Sequence, residues 1–302
     1  MSASPIPPEL QPIGAIGLGI MGAPMNRNLL AAGAEVRVWA RRPETAEALA
    51  QEGAQSCASL PELVRGVRVL VLNVSDTPDV EALMLGPDGI LEHARPGLIV
   101  IDHSTIDPMR TRAIARAAAE REVTFVDAPV SGGEPGARAG SLSLMVGGPA
   151  VVVESLRPIF EVVGSTLTHV GDCGAGQIAK ACNQLVVGET LVAVGEAFAL
   201  AEQSGVDPAR VREALMGGFA SSRILEVHGQ RLLDGDFEPG FQVGLYHKDL
   251  GIIADLSRDL GLATEGLRPV REAVDAALEA GQARHDVSIL ARFCVRAGEP
   301  AS

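Results

Sequence analysis

One lysine in this sequence stands where a cation is unusual, and it is the residue best suited to acid–base chemistry. Lys180 lies within residues 178–182, which are otherwise small or apolar. A lysine with the ordinary pKa of about 10.4 is protonated at neutral pH, so it can give a proton to a carbonyl oxygen while hydride reaches the carbon. Asn183 follows three residues later and would share a helix face with Lys180. The pair predicts a proton donor with an amide beside it, and the alternative is an ordinary lysine on a helix surface.

A serine–glycine segment earlier in the chain could bind an anion. Ser131, Gly132 and Gly133 follow a predicted strand that ends at Asp127. Glycines beside a serine leave backbone N–H groups accessible, and clustered N–H groups bind carboxylates or phosphates. A turn without a ligand is the alternative for this segment taken alone. Together with Lys180, the segment predicts a small carboxylic acid as the substrate.

A third segment has the spacing of a dinucleotide-binding loop. Gly17, Gly19 and Gly22 form the pattern G-x-G-x-x-G, with Ile20 and Met21 between the last two glycines. An apolar run precedes this loop and a helical stretch follows it, so the pyrophosphate of a dinucleotide would face the helix N-terminus. We therefore predict a dinucleotide site. A glycine turn required by packing alone is the alternative.

Two arginines indicate which dinucleotide binds. An NAD site places Asp or Glu at the end of the second strand, where the carboxylate binds the ribose hydroxyls. This chain has Ala40, Arg41 and Arg42 there, and guanidinium groups form paired hydrogen bonds with a phosphate. The sequence predicts NADP, with NAD also possible. Two solvated arginines at a helix start are the alternative.

The ends of two further predicted strands carry other candidate cofactor contacts. Asn73 and Val74 follow the third strand, and Ser104 and Thr105 follow the fourth. In open α/β sheets the ligand binds at the carboxyl ends of the strands, so these positions face the predicted cofactor. Each of them could instead be an ordinary strand-end cap.

The hydrophobic pattern predicts an α/β fold with two domains. Short apolar runs alternate with helical stretches up to about residue 171, which favours a doubly wound, mostly parallel sheet of the Rossmann type. After that point we find only helical periodicity, so the second domain is predicted to be all-helical. The predicted division is a flexible tail over residues 1–12, a dinucleotide-binding domain over 13–173, and a helical substrate and oligomerisation domain over 174–302.

A long helix over residues 174–204 is predicted to join the two domains and to carry Lys180. The predicted strands are 13–18, 35–39, 67–74, 98–102, 123–127, 143–146 and 166–170. The predicted helices of the first domain are 21–32, 43–52, 79–85, 108–120 and 150–160. Those of the second domain are 206–215, 222–233, 248–260, 267–280 and 285–296.

Charge and cysteine content narrow the classes of partner. The formal net charge of −13 disfavours nucleic acids and anionic membranes, which select basic surfaces. The four cysteines have no CxxC spacing and the six histidines no HExxH spacing, so neither a metal site nor a disulfide framework is expected. The start of the chain lacks the features of a signal peptide, and glutamates interrupt the long apolar helix. We predict a cytoplasmic protein without a membrane span.

Four motifs in this order resemble the β-hydroxyacid dehydrogenase family. They are residues 14–22 (GAIGLGIMG), 127–133 (DAPVSGG), 174–180 (GAGQIAK) and 248–250 (KDL), and they are spread over most of the chain. The resemblance implies NAD(P)-dependent oxidoreduction of a small β-hydroxy acid. It also implies a homodimer or homotetramer assembled through the helical domain.

The same resemblance assigns roles to individual residues. Lys180 would be the catalytic acid–base, residues 131–133 would hold the substrate carboxylate, and Asn183 would help to orient the substrate. Thr105 would approach the nicotinamide and its ribose, and Lys248 would close over the cofactor from the helical domain.

Two sequence features bear on the substrate. Residues 210–229, together with Asn183 and Gln184, are most similar to family members that reduce tartronate semialdehyde to glycerate. The wider family often has asparagine four residues after the lysine, where this chain has Gln184, so which amide orients the substrate stays open. Oxidation of 3-hydroxyisobutyrate or another 3-hydroxy acid is the enzymatic alternative. A non-catalytic NADP-binding sensor is the alternative from another class.

Overall fold

The computed structural model of this chain describes residues 6–238 and 240–295. The chain forms two compact units, which divide between Lys180 and Ala181 inside one long helix. The sequence pattern had placed the domain boundary seven residues earlier, between 173 and 174. The helix that carries Lys180 therefore begins in the first unit and continues into the second.

The first unit contains a nine-stranded sheet with the order β3-β2-β1-β4-β5-β6-β8-β7, and β9 pairs with β8. Strands β1 to β6 are parallel, whereas β8 runs antiparallel to β6 and β7. This confirms the predicted doubly wound, mostly parallel fold. The strands are β1 Ile13–Ile16, β2 Val36–Trp39, β3 Gln55–Ser56, β4 Val69–Leu72, β5 Ile99–Asp102, β6 Thr124–Asp127, β7 Val130–Ser131, β8 Leu142–Gly147 and β9 Gly164–Gly171.

The continuous apolar runs form central strands because both faces of the sheet are covered. In β4, Val69 and Val71 belong to one hydrophobic cluster, and Leu70 and Leu72 belong to the other. The helices of this unit are α1 Gly22–Ala31, α2 Pro43–Ala50, α3 Leu60–Arg65, α4 Thr77–Leu85, α5 Ile90–His93, α6 Pro108–Ala119, α7 Gly133–Ala139, α8 Ala150–Ser155 and α9 Arg157–Val163.

Among the described residues of the second unit, the named secondary-structure elements are all helices, as predicted. Its core is built around Tyr246, Val270 and Val274, which are almost fully buried. The helices are α10 Ala175–Gln203, α11 Pro208–Met216, α12 Arg223–Asp234, α13 Val243–Asp259 and α14 Leu267–Glu279, followed by a 3-10 helix at Val287–Arg292.

Two local predictions are wrong. The flexible tail is partly ordered, since Ile6 and Leu10 are buried in the core of the first unit and Pro8–Leu10 form a 3-10 helix. Burial of these two side chains outweighs the entropy of ordering the segment. Residues 1–5 lie outside the described residues. The last helix, predicted over 285–296, is a 3-10 helix at Val287–Arg292, because hydrogen bonds to the Phe237 and Phe241 carbonyls fix the backbone where the longer helix would begin. Residue 296 lies outside the described residues.

Helix α10 is long and apolar enough to cross a membrane by length and composition. Of its most apolar 18-residue window, 44% is buried within the protein. Buried core helices pass the same test, so the finding is weak by itself, and the absence of a membrane span stays a prediction.

Candidate active site

The loop between β1 and α1 contains three glycines, and a different physical reason favours glycine at each of them. Gly17 has a φ of 87°, and a Cβ there would overlap the Asn73 carbonyl oxygen. A Cβ on Gly22 would overlap the Gly17 carbonyl oxygen, so this glycine lets helix α1 start against its own loop. For Gly19, no described atom lies within 4 Å of the Cβ position. The protein itself therefore does not require a glycine there, and the open space fits the close approach of a pyrophosphate.

The start of helix α1 is suited to an anion for a second reason. Met21 is the N-cap residue of this helix, and no described side chain forms a capping hydrogen bond there. The first N–H groups of a helix need acceptors, and the positive end of the helix dipole favours negative charge. A dinucleotide pyrophosphate would meet both requirements, so the loop fits the predicted cofactor.

A cleft of about 320 Å³ opens at the carboxyl ends of β1, β2 and β4. It brings together six of the predicted cofactor residues, which are separated by up to 57 positions in the sequence. The cleft is lined by Ile16, Gly17, Leu18, Gly19, Trp39, Ala40, Arg41, Arg42, Thr45, Asn73, Val74, Ser75, Asp79, Ala82 and Leu83. Ile20 and Met21 belong to the same loop but do not line the cleft, and Ile20 is exposed.

An acidic residue in this cleft was missed by the sequence reading. Asp79, in the first turn of α4, lies with its Oδ1 3.5 Å from an Nη atom of Arg41. Arg41 is 80% exposed and Asp79 about one third exposed, so the ion pair is weak and open to competition by another anion. Arg42 also lines the cleft and precedes helix α2. Nothing in the local sequence indicates that Asp79 meets Arg41, because the contact depends on the order of the strands.

The strand-end residues form a hydrogen-bonded group. The Val74 N–H donates to Ser104 Oγ at 2.9 Å, and the Ser104 N–H donates to Asp102 Oδ1 at 2.9 Å. Asn73 donates through Nδ2 to Met25 Sδ at 3.3 Å. Ser104 therefore links the ends of β4 and β5, which supports the capping interpretation for this residue. Thr105, the next residue, is half-buried.

The predicted anion segment is more structured than a turn. Ser131 ends the short strand β7, and Gly133 begins helix α7. The backbone requires glycine at both positions that follow Ser131, since φ is 136° at Gly132 and 61° at Gly133. Gly132 is exposed and Ser131 is half-buried, so polar groups of this segment remain accessible. Carboxylate binding by this segment stays a prediction.

Lys180 is buried, with 8% of its surface exposed. The alternative of an ordinary surface lysine is therefore wrong. Lysines are almost never buried unless their ammonium group is paired, so this position has a specific environment. Lys180 lies in the second turn of α10, and its helix starts against strands β6 and β8 of the first unit.

Composition holds a further signal about the lysines. The chain has 25 lysines and arginines together, and Lys180 and Lys248 are the only lysines. Arginine stays charged at any accessible pH, whereas lysine can release a proton. Both lysines of this otherwise arginine-using chain thus lie at motif positions, and the residue count supports the two positions that the motifs indicate.

Two ionisable groups at the strand ends have shifted pKa values. Burial raises the pKa of the Asp127 carboxyl, although hydrogen bonds from the Gly174 and Gln177 backbone N–H groups act in the opposite direction. Burial lowers the pKa of His103 to about 4, so its imidazole is neutral at physiological pH. Its Nδ1 lies 2.6 Å from the Ala128 carbonyl oxygen, which fits a neutral ring that donates from that nitrogen.

The second unit contains a polar chain that starts beside Lys180 in sequence. Asn183 donates through Nδ2 to Gln184 Oε1 at 2.8 Å, and Gln184 donates through Nε2 to Asp249 Oδ2 at 2.6 Å. The other oxygen of Asp249 lies 3.0 Å from Lys248 Nζ. Gln184 is 3% exposed and Asn183 is half-buried. Both ends of the Gln184 amide are thus used inside the protein.

Comparison with known proteins decides the family. Residues 12–171 match the NAD binding domain of 6-phosphogluconate dehydrogenase, and residues 174–294 match the NAD-binding domain of NADP-dependent 3-hydroxyisobutyrate dehydrogenase. The chain belongs to the β-hydroxyacid dehydrogenase family. It is an NAD(P)-dependent enzyme of that family, which confirms the predicted fold, enzyme class and cofactor type.

Individual relatives cover 80% or more of the chain. It is 41% identical over 278 residues to 2-hydroxy-3-oxopropionate reductase of Escherichia coli strain K12, which spans 92% of this chain and 95% of that protein. It is 40% identical over 247 residues to 3-hydroxyisobutyrate dehydrogenase of Pseudomonas aeruginosa, spanning 80% and 83%. Among solved structures, 3-hydroxyisobutyrate dehydrogenase of Mycobacterium tuberculosis has a TM-score of 0.85 at 32% identity, spanning 93% and 97%.

Proposed function

We propose that this protein reduces tartronate semialdehyde (2-hydroxy-3-oxopropanoate) to glycerate. The observation that carries the proposal is the 41% identity to the Escherichia coli 2-hydroxy-3-oxopropionate reductase over 92% of this chain. The 40% identity to a 3-hydroxyisobutyrate dehydrogenase over 80% of the chain favours oxidation of a 3-hydroxy acid as the second candidate. Both reactions belong to the class that the family establishes.

The proposed chemistry divides between the cofactor and the chain. When bound, the reduced nicotinamide supplies hydride to the aldehyde carbon. Lys180 donates a proton to the carbonyl oxygen, so one hydride and one proton convert the aldehyde to the alcohol. The Ser131 hydroxyl and the backbone N–H groups of residues 132 and 133 bind the carboxylate. By the family resemblance, Thr105 would contact the nicotinamide and its ribose, and Lys248 would close over the cofactor.

A substrate panel tests the proposed function. NADPH consumption is followed by absorbance with tartronate semialdehyde, and NADP reduction is followed with 3-hydroxyisobutyrate, L-serine and glycerate. We expect kcat/KM to be highest for tartronate semialdehyde. A higher kcat/KM for 3-hydroxyisobutyrate oxidation than for tartronate semialdehyde reduction would replace the first candidate by the second.

Asn183 is the amide that we propose for substrate orientation, in place of Gln184. Gln184 uses both ends of its amide within the second unit, whereas within the described residues the Asn183 side chain is hydrogen-bonded only through its Nδ2. Replacing Asn183 by alanine should lower kcat/KM about 10- to 100-fold, which corresponds to the loss of one hydrogen bond to a charged or reacting group. Steady-state kinetics with NADPH saturating would measure this loss. Unchanged kcat/KM in Asn183→Ala would transfer the role away from this residue.

We propose that NADP is preferred over NAD, with Arg41 and Arg42 binding the 2′-phosphate. Both arginines line the cleft that contains the glycine loop. The ion pair between Arg41 and Asp79 places a carboxylate in competition with that phosphate. Asp79 should therefore weaken the preference for NADP, because its carboxylate pairs with Arg41 and repels the negative charge of the 2′-phosphate.

Substitutions at these positions should shift cofactor affinity in opposite directions. Arg41→Ala is expected to raise the Kd of NADPH about 10- to 100-fold and to change that of NADH little, since only NADPH has the phosphate. Asp79→Asn is expected to lower the Kd of NADPH by up to about 5-fold, the scale of an exposed ion pair. Fluorescence titration with both cofactors measures the two effects.

A matched control separates the cleft from net charge. Arg157 is a half-exposed arginine of the same unit, paired with Glu154 at 2.7 Å, and it does not line the cleft. Arg157→Ala should leave both Kd values unchanged. Equal effects of Arg41→Ala on NADPH and NADH would contradict the assignment of the 2′-phosphate to Arg41.

We also propose a homodimer or homotetramer that is assembled through the helical unit. Cys182, Val186, Ala193 and Leu200 recur at helical spacing along α10 and are exposed within the described residues, with Glu189 and Glu196 exposed between them. This stripe offers apolar side chains to a second copy of the helical unit. Sedimentation equilibrium should give a mass of two or four chains. Val186→Glu should lower that mass, and a wild-type mass of one chain would contradict the proposal.

The cytoplasm is the proposed location. All four cysteines are free, which fits a reducing compartment. Recovery of the enzyme in the membrane fraction of disrupted cells would contradict this assignment.

A further inference from the structure

We propose that Gln177 is a positioning residue, which holds the helix turn of Lys180 against the loop that carries Thr105. The inference rests on the proposed role of Lys180 as the proton donor. Asp127 supports the same arrangement by fixing the start of helix α10. All of these residues belong to the first unit.

The first step is the attachment of α10 to the sheet. Asp127, the last residue of β6, accepts a hydrogen bond from the Gly174 N–H at 2.6 Å through Oδ1 and from the Gln177 N–H at 2.9 Å through Oδ2. These N–H groups have no partner within the helix, and a carboxylate also interacts favourably with the positive end of the helix dipole. A side chain about 50 positions earlier in the sequence thus caps the helix and ties it to the sheet.

The second step is the close contact of the helix backbone with the strands. A Cβ on Gly176 would overlap the Met145 carbonyl oxygen and lie 2.8 Å from the Asp127 carbonyl oxygen. The first turn of α10 therefore rests directly on the backbone of β6 and β8. Only glycine allows this distance, so the helix axis has little freedom to shift.

The third step is the side chain of Gln177, which is 1% exposed. Its Oε1 accepts a hydrogen bond from the Ile106 N–H at 3.1 Å, and its Nε2 donates to the Ser104 carbonyl oxygen at 2.8 Å. These two backbone groups flank Thr105 on either side. A single amide therefore fixes the loop at both neighbours of the residue proposed to face the nicotinamide.

The position of Lys180 completes the argument. It follows Gln177 by three residues in α10 and lies on the same helix face. The Gln177 amide thus fixes the turn that carries the proton donor relative to the loop that carries Thr105. Catalytic groups must be held within about 0.5 Å of their productive geometry, and a displacement of about 1 Å can reduce turnover about 100-fold.

The test replaces Gln177 by methionine, which has a similar volume and helix propensity but forms neither hydrogen bond. We expect kcat to fall about 10- to 100-fold, while the Kd of NADPH changes less than about 2-fold. The primary isotope effect with NADPH deuterated at C4 should increase, because hydride transfer becomes rate-limiting. Hydrogen exchange at the Ile106 amide should also become faster, which can be read without turnover.

Gln11 provides a matched control. It is a glutamine of the same unit whose Nε2 donates to the Ile6 carbonyl oxygen at 2.8 Å and whose Oε1 accepts from the Glu35 N–H at 2.8 Å. Gln11→Met removes the same two kinds of hydrogen bond before strand β1, away from the carboxyl ends of the strands. We expect it to leave kcat, the isotope effect and exchange at Ile106 unchanged.

Two outcomes would overturn the inference. One is a folded Gln177→Met variant with wild-type kcat and isotope effect, and the other is an equal loss of kcat in Gln11→Met. If Gln177→Met does not give the wild-type circular dichroism spectrum, Gln177→Glu takes its place under the same criteria. It keeps the acceptor for Ile106 and sets a carboxylate oxygen against the Ser104 carbonyl.

The assay uses whichever acid of the substrate panel the wild-type enzyme turns over fastest. A wrong proposed substrate therefore leaves this test intact. Failure of the proposed function would show in the wild-type panel, whereas failure of the positioning role would show only in the Gln177 variants.

Discussion

Replacing Lys180 by methionine is expected to lower kcat by about 100- to 10,000-fold, the usual contribution of a positioned general acid. Methionine retains most of the length of the side chain but cannot donate the proton that the carbonyl oxygen needs. The Kd of NADPH should stay close to its wild-type value, because Lys180 does not line the cleft that contains the glycine loop. Rapid-mixing and steady-state kinetics, with fluorescence titration of NADPH, measure both quantities.

A second variant separates charge from proton transfer. Lys180→Arg keeps a cation at the same position, but arginine does not release its proton at accessible pH. Its kcat should therefore fall as well, even though the charge at this buried position is retained. Turnover near the wild-type value in either variant would remove Lys180 from the role of proton donor.

Loss of the Asp286 carboxylate is expected to cause the largest change in stability. Asp286 is 1% exposed, and it accepts hydrogen bonds from the backbone N–H groups of Gly240, Phe241 and Ser288. It also lies 3.2 Å from Arg231 and 3.3 Å from His228, both mostly buried. Asp286→Asn should lower the free energy of unfolding by about 3–5 kcal/mol, since it removes the buried negative charge that faces the mostly buried Arg231. Urea unfolding followed by far-ultraviolet circular dichroism measures this change.

Asp236 is the matched control for this substitution. It pairs with the same Arg231 at 3.4 Å but is half-exposed. Asp236→Asn should therefore cost no more than about 1 kcal/mol, as expected for an exposed ion pair. Equal shifts of the urea midpoint in the two variants would contradict the structural role assigned to Asp286.

The same carboxylate predicts how stability depends on pH. Burial by itself would raise the pKa of Asp286, but the His228 side chain 3.3 Å away and hydrogen bonds from the Phe241 and Ser288 N–H groups lower it well below its ordinary value. The folded state thus binds this proton more weakly than the unfolded state, so the stabilisation is present above about pH 4 and is lost as the pH falls further. The wild-type protein should lose stability on acidification below about pH 4, and Asp286→Asn should lose less.

The buried position of Lys180 shows where sequence reasoning stopped. The motif and its apolar neighbours indicated a special lysine, but the same residues were compatible with a helix surface. Only the folded structure shows that Lys180 is buried, with 8% of the residue's surface exposed. The solvent exposure of a helix face depends on what packs against it, and neighbouring residues in the sequence do not contain that information.

The sequence left open whether Asn183 or Gln184 orients the substrate, for the same reason. Two adjacent amides in a helix point in different directions, about 100° apart, and either could have faced a substrate. The fold places Asp249 opposite Gln184, so that this amide is used internally. The partner lies 65 positions away in the sequence, beyond the reach of any local pattern.

The sequence by itself determined the family, the α/β order of elements and the glycine loop, because these depend on backbone requirements within a few residues. Gly17 needs a positive φ, and the buried parallel strands need continuous apolar runs. Only the tertiary structure decided that Asp79 meets Arg41, that Asp127 caps the helix of Lys180, and that Gln177 holds the loop around Thr105. These contacts join residues 38 to 73 positions apart, and the order of strands in the sheet brings them together.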